Sequence, residues 1–102
     1  MKQDLIYSEL KVKIASKPIF MISKSYCPFC HTVKDIFNNR GLEFDCIEID
    51  TLLADTRSFQ QAMRNDVGSH TVPQIYRFGQ HVGDCTEIQR LIKSNKFEEV
   101  FK

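Results

Sequence analysis

The sequence predicts an α/β fold, a four-stranded mixed sheet flanked by about five helices in the order α-β-α-β-α-β-β-α-α. Three observations carry this reading. Apolar residues recur at helical spacing in successive stretches, short apolar runs lie between those stretches, and Gly79-Gln80 divides the last two runs as a hairpin loop. Two strands joined through a helix must lie parallel, whereas a hairpin adds an antiparallel edge.

Ile6, Leu10 and Ile14 recur at helical spacing and predict an opening helix over Lys2 to Ala15, ended by Ser16-Lys17-Pro18. A strand follows from Ile19 to Ile22. Phe29, Val33, Ile36 and Phe37 line one face of a second helix, and Gly41 supplies its stop. Phe44 to Ile49 carries apolar residues on both alternating faces, as in a strand covered on two sides, which would bury Cys46 and leave it inert. A third helix is expected from about Ala54 to Asp66, with Phe59, Ala62 and Met63 inward and Gly68 breaking it. Gln74 to Phe78 and His81 to Gly83 form the hairpin, and the leading glycine of Gly79-Gln80 suits a type II′ turn. Asp84-Cys85-Thr86-Glu87 reads as a capping box opening a helix with Ile88, Leu91 and Ile92 inward. A last turn, Lys96 to Phe101, docks through Phe97, Val100 and Phe101.

The 102 residues make a single domain, 1–102, large enough to bury roughly two-thirds of its unfolded surface without staples. With 14 Lys and Arg against 13 Asp and Glu, the net charge of +1 gives no nucleic-acid or membrane footprint. The longest apolar run falls far short of the roughly 20 residues that a spanning helix needs. Cysteines at 27, 30, 46 and 85 have no framework spacing, and Met1-Lys2-Gln3-Asp4 does not open like a signal peptide, so a reducing, cytoplasmic setting is expected.

Chemistry concentrates at Cys27-Pro28-Phe29-Cys30, where the strand gives way to the second helix. A thiol at the first turn of a helix lies beside unpaired amides and the positive end of the helix dipole, which stabilise the nucleophilic thiolate. Cys27 is therefore the expected nucleophile. Residues three apart share a helical face, with a rise of about 4.5 Å, so Cys30 can close onto Cys27 as a disulfide. Pro28 suits the first helical position, where no amide hydrogen is required. A structural zinc site needs four ligands, and no second C-x-x-C or H-x-x-x-H occurs. Two inert core cysteines fit poorly with Lys24, Ser25 and Tyr26, which read as an exposed loop.

The segment Lys24-Ser25-Tyr26-Cys27-Pro28-Phe29-Cys30, with Thr71-Val72-Pro73 downstream and Val82-Gly83-Asp84-Cys85-Thr86-Glu87 after it, resembles the dithiol glutaredoxins of the thioredoxin-like superfamily. The likeness covers nearly the whole chain. The absence of tryptophan argues against thioredoxin, whose motif is typically W-C-G-P-C.

The resemblance implies that Pro73 is a cis proline facing the cysteines and that the Val72 backbone pairs with glutathione like an added strand; the plainer reading of Thr71-Val72-Pro73 is a strand start. It implies that the glycine carboxylate of glutathione is met by Lys24, Gln60 and His70. The family usually has arginine at the last of these positions, and a histidine carries at most a partial charge near pH 7, so a pH-dependent contact or a simple surface histidine are the alternatives. The γ-glutamyl end falls to Gly83, Asp84, Cys85, Thr86 and Glu87, where amides opening a helix bind a carboxylate and an acid holds the ammonium. Here Glu87 replaces the usual aspartate and Asp84 a glycine, and Asp84 also reads as a plain helix N-cap. Tyr26 and Phe29 form apolar walls beside the sulfur or pack at the helix start. Cys85 is a rim thiol or an incidental backbone contact, and His31 and His81 read as surface residues.

The implied activity is glutathione-dependent thiol–disulfide exchange, with glutathione as co-substrate. Cys27 alone reduces protein–glutathione mixed disulfides; for protein disulfides, Cys30 resolves the intermediate. The implied partners are glutathionylated or disulfide-containing proteins, acted on by a monomer. No metal is expected. The competing readings are a carrier in which two chains share a [2Fe-2S] cluster through Cys27 and two glutathiones, and a redox-dependent binding adaptor.

Overall fold

The computed structural model describes the backbone of residues 2–102 and the side chains of residues 5–102, so the side chains of Met1 to Asp4 lie outside the described residues. The chain runs α1 (Lys2–Ala15), β1 (Ile19–Ser23), α2 (Pro28–Asn39), β2 (Asp45–Glu48), α3 (Ile49–Leu52), α4 (Arg57–Val67), β3 (Gln74–Arg77), β4 (Gln80–Gly83), α5 (Cys85–Lys93) and α6 (Phe97–Phe101). The strands form one mixed sheet in the order β2-β1-β3-β4. β1 and β2 are parallel, while β1–β3 and β3–β4 are antiparallel.

Alternation along β1 divides the core into two layers. Ile19 and Met21 join Val33, Phe37, Ile75, Ile88, Leu91, Phe97 and Phe101 beneath α2, α5 and α6. Phe20 and Ile22 face the other way, into Tyr7, Ile14, Ile49, Phe59, Met63 and Tyr76 beneath α1 and α4. Five consecutive buried residues on β1 follow from its central position, with helices over both faces.

The expected architecture is present, with local differences. Six helices occur among the described residues because Ile49, expected to end a strand, opens the short α3 with its side chain buried. α4 starts at Arg57, where Asp55 Oδ1 accepts the Arg57 N–H at 2.9 Å and fixes the turn. β2 is an edge strand, so Cys46 is exposed rather than buried between two layers. The inward face of α1 runs through Tyr7 and Ile14, leaving Ile6 37% exposed.

The hairpin loop is Phe78-Gly79, one residue earlier than expected. Its φ values of 49° and 81° are both positive, as a type I′ turn requires, and Arg77 pairs with Gln80 across it. A Cβ on Gly79 would lie 2.8 Å from the Ala15 Cα, so the tip fits against the end of α1 only as glycine. Asp84 caps α5 by accepting the Glu87 N–H at 3.1 Å, whereas the Glu87 carboxylate pairs with Arg90 instead of returning to the cap.

Candidate functional site at the start of the second helix

Cys27 occupies the N-cap of α2 with extended backbone (φ −86°, ψ 115°), and Pro28 follows at the first helical position. The Cys30 N–H donates to Cys27 Sγ at 3.3 Å, one of the amides that the first turn leaves without a helical partner. Cys27 Sγ in turn lies 3.7 Å from the Val72 carbonyl oxygen, to which its thiol donates. Cys27 is 9% exposed, at the rim of the site, while Cys30 is fully buried. Burial and the adjacent Cys27 sulfur push the Cys30 thiol up to about 11, against the opposing effect of the Ser23 hydroxyl. The two sulfurs therefore differ in access: one meets substrate, and the other waits beneath it.

The Val72–Pro73 peptide is cis. Thr71, Val72 and Pro73 line a cavity of about 310 Å3 together with Phe29, Asp84, Cys85 and Thr86. Three segments far apart in the chain thus converge beside Cys27. Tyr26 and Phe29 are 69% and 65% exposed, so Phe29 is a wall of the cavity and not part of the buried face of α2, which is Cys30, Val33 and Phe37. Cys85 is buried, and burial and Asp84 raise its thiol above the ordinary range.

Lys24, Gln60 and His70 are also brought together. Lys24 Nζ donates to Gln60 Oε1 at 3.1 Å, the Thr56 hydroxyl donates to the same oxygen at 2.7 Å, and Gln60 Nε2 donates to the His70 carbonyl at 2.8 Å. It is the backbone of His70 that is held; its ring borders a second cavity of about 290 Å3 with Arg57, Gln60, Gln61 and Arg64. Gly83 has φ 146°, and a Cβ there would lie 2.7 Å from the Glu87 Cβ, so α5 can begin this close to β4 only at glycine. The Glu87 carboxylate is paired with Arg90, whose guanidinium holds it below the usual carboxylate range.

Other contributors were not singled out from sequence. Asp50 accepts the Ser25 N–H at 2.9 Å and the Ser25 hydroxyl at 2.5 Å, and the His31 ring contacts the Ser25 carbonyl at 3.0 Å, so Ser25, in the loop before Cys27, is held through its N–H, hydroxyl and carbonyl. Arg57 and Arg64 stand three before and four after Gln60, a spacing that puts all three on one helical face and that periodicity could have found. Thr56 and Asp50 gave no such signal, because their contacts are long-range or depend on where a helix begins. His81 is exposed, as expected, although its ring contacts Gln74 Oε1 at 2.6 Å and the edge of Tyr76. Cys46 Sγ lies 3.8 Å from Glu48 Oε1, and desolvation of the sulfur and the Glu48 charge push its thiol up to about 11. Among the described residues, no group of three or more His, Cys, Asp or Glu side chains converges on a metal position.

The Glutaredoxin family model matches residues 19–82 of this chain. Glutaredoxin-C6 of Oryza sativa subsp. japonica is 37% identical over 89 residues, spanning 87% of this chain and 79% of that protein. The crystal structure of wheat glutaredoxin is 36% identical with a TM-score of 0.84, covering 95% of this chain and 89% of that one. A buckwheat glutaredoxin–glutathione complex has a TM-score of 0.87 at 27% identity, covering 98% of this chain and 91% of that one. A thiol capping α2, a buried partner thiol beneath it and a cis Val72–Pro73 beside them thus occur on a chain whose sequence and fold both match one group of redox proteins: it belongs to the glutaredoxin family.

Proposed function

We propose that this chain reduces disulfides with electrons from glutathione, a glutathione-dependent thiol–disulfide oxidoreductase. The observation that carries the reading is the placement of Cys27, an N-cap thiol whose sulfur accepts the Cys30 N–H at the border of the cavity formed by Thr71, Val72, Pro73, Asp84, Cys85 and Thr86.

The Cys27 thiolate attacks the glutathione sulfur of a protein–glutathione mixed disulfide, the protein leaves as a thiol, and a second glutathione regenerates Cys27. With a protein disulfide, Cys27 forms the mixed disulfide and Cys30 displaces the substrate. The Val72 backbone pairs with the extended tripeptide in the manner of an added strand. Lys24 supplies charge to the glycine carboxylate, with Gln60 holding the lysine and the His70 backbone in place. The opening amides of α5 and Thr86 receive the γ-glutamyl carboxylate, with Asp84 and Glu87 acting on its ammonium, although both acids also serve the helix itself. Tyr26 and Phe29 present apolar surface to the substrate.

Glutathionylated and disulfide-containing proteins are the substrates of this reading, acted on by a monomer whose residues 1–102 form one functional domain. The reaction is placed in a reducing compartment such as the cytoplasm, where glutathione keeps thiols reduced. The test is glutathione-dependent reduction of a glutathionylated small-molecule disulfide, coupled to NADPH oxidation through glutathione reductase. Turnover by the wild type that disappears in Cys27→Ser supports the reading; absence of turnover in fully reduced wild type overturns it.

A further inference from the structure

Beneath Cys30, on the sheet face covered by α2, lies a polar cluster that the reaction above leaves unused. Ser23 and Glu48 are register partners at the ends of β1 and β2, and Cys46, two residues before Glu48, shares their face. Lys34 stands one helical turn beyond Cys30 on α2, and its Nζ donates to Glu48 Oε1. Cys46 Sγ approaches the same oxygen at 3.8 Å, while Glu48 Oε2 is buried with no partner. Ser23 is fully buried, as is Cys30. The groups acting on Cys30 are Cys27 on its own helix and the Ser23 hydroxyl and Lys24 backbone N–H on and after β1. The same Ser23 hydroxyl meets Cys46 and Glu48 on β2, and Lys34, one turn along α2, faces Glu48, Cys46 and Cys30, while Cys85 on α5 interacts with Cys27.

Lys34 is the cation of this cluster. Burial works against its charge, but Glu48, Cys46 and Cys30 outweigh that effect and hold its ammonium above the ordinary range. The other nearby cation, Lys24, is committed to Gln60. Resolution of a mixed disulfide requires Cys30 to become a thiolate in a buried place, where an uncompensated negative charge is costly.

We propose that Lys34 is a positioning residue for the resolving step, its ammonium stabilising the Cys30 thiolate as it forms, and that Glu48 sets how much of that charge Cys30 experiences. The proposal rests on the dithiol reading above. In the step itself, the Cys30 thiol gives its proton to a solvent base and its sulfur attacks Cys27 Sγ. The Cys27–Cys30 bond forms as the bond from Cys27 to the substrate sulfur breaks, and the substrate leaves as a thiolate that takes a proton from water. The two cysteines lose the two electrons that the substrate disulfide gains.

The experiment mixes fully reduced protein rapidly with excess peptide disulfide and follows peptide thiol release from pH 6 to 10. The first thiol reports attack by Cys27, and the second reports resolution by Cys30. Lys34→Gln is expected to slow the second release about tenfold at pH 7.5 and to move its pH profile up by about one unit. Glu48→Gln moves the profile the other way, Lys34→Arg restores it to within about twofold, and deglutathionylation by Cys27 stays near the wild-type rate in all three, since Cys30 takes no part in it. Normal release by wild type with an unmoved Lys34→Gln profile overturns the proposal alone, as does equal slowing of both releases. A wild type that releases no thiol overturns the dithiol reading and this proposal together.

Discussion

The Cys30 backbone N–H donates to Cys27 Sγ at 3.3 Å, while the Cys30 side chain is fully buried. One residue thus serves its partner twice: its amide supports the attacking sulfur, and its thiol lies in reserve behind it. Cys27→Ser is expected to abolish reduction of both glutathionylated and protein disulfides, whereas Cys30→Ser spares the first and impairs the second. Equal losses from the two variants, measured side by side, contradict this division of roles.

The same geometry gives the resolving step a pH dependence. Burial, which raises the Cys30 thiol most, persists when Cys27 is tied up in the mixed disulfide, so the Cys30 thiolate fraction stays small at neutral pH and rises as the solution becomes alkaline. The rate of Cys30-dependent thiol release therefore climbs about tenfold per unit through the neutral and mildly alkaline range. A flat profile in stopped-flow measurements would show that deprotonation of Cys30 does not limit resolution.

At the other end of the site, Gln60 joins Lys24 to the His70 backbone. Gln60→Ala removes both links and is expected to raise KM for glutathionylated substrate several-fold with a smaller change in kcat. His70→Arg places a permanent charge beside Arg57, Gln60 and Arg64 and lowers KM above pH 7 by a few-fold, the size of a partly exposed ion pair. Steady-state kinetics at pH 6 and 8 distinguish the two effects, and an unchanged KM at both pH values removes His70 from the site.

Away from the site, Tyr7 donates to Asp66 Oδ2 at 2.8 Å and lies 3.0 Å from the Tyr76 hydroxyl, while Lys11 reaches the same Asp66 oxygen at 2.8 Å. Tyr7→Phe takes this partner from the buried Tyr76 hydroxyl and from the exposed Asp66 carboxylate, and is expected to cost about 1 kcal/mol in urea unfolding at pH 7. Lys11 first, and Tyr7 after it, hold the Asp66 carboxyl below its ordinary 3.8. Its contribution is complete above the unfolded value and disappears as pH falls through the lower folded value, so the stability gap between wild type and Asp66→Asn closes below about pH 4. A gap that persists unchanged at pH 2 contradicts this linkage.

Gly83 combines φ 146° with a 2.7 Å approach of its absent Cβ to the Glu87 side chain. Gly83→Ala is expected to destabilise the fold by about 1–3 kcal/mol through overpacking, with backbone strain added. It should also raise KM, since α5 carries Asp84, Cys85 and Thr86 into the cavity. Thermal unfolding and kinetics on the same preparation check both effects.

The sequence by itself determined the four strands and every described helix but the short α3, the hairpin, the Asp84 cap and the Cys27–Cys30 pair, because each depends on residues a few positions apart: apolar period, turn glycines, a cap and a helical spacing. Even the departures of His70, Asp84 and Glu87 were legible as changes in charge or length. Tertiary structure decided what depends on neighbours distant in the chain. Cys46 is exposed because β2 lies at the sheet edge, and Phe29 stands beside the cavity because Cys30, Val33 and Phe37 take the buried face of α2. Short-range pattern specifies an element and the faces it offers; only packing fixes which face meets a neighbour, and so which thiol meets substrate and which lies above Ser23, Lys34 and Glu48.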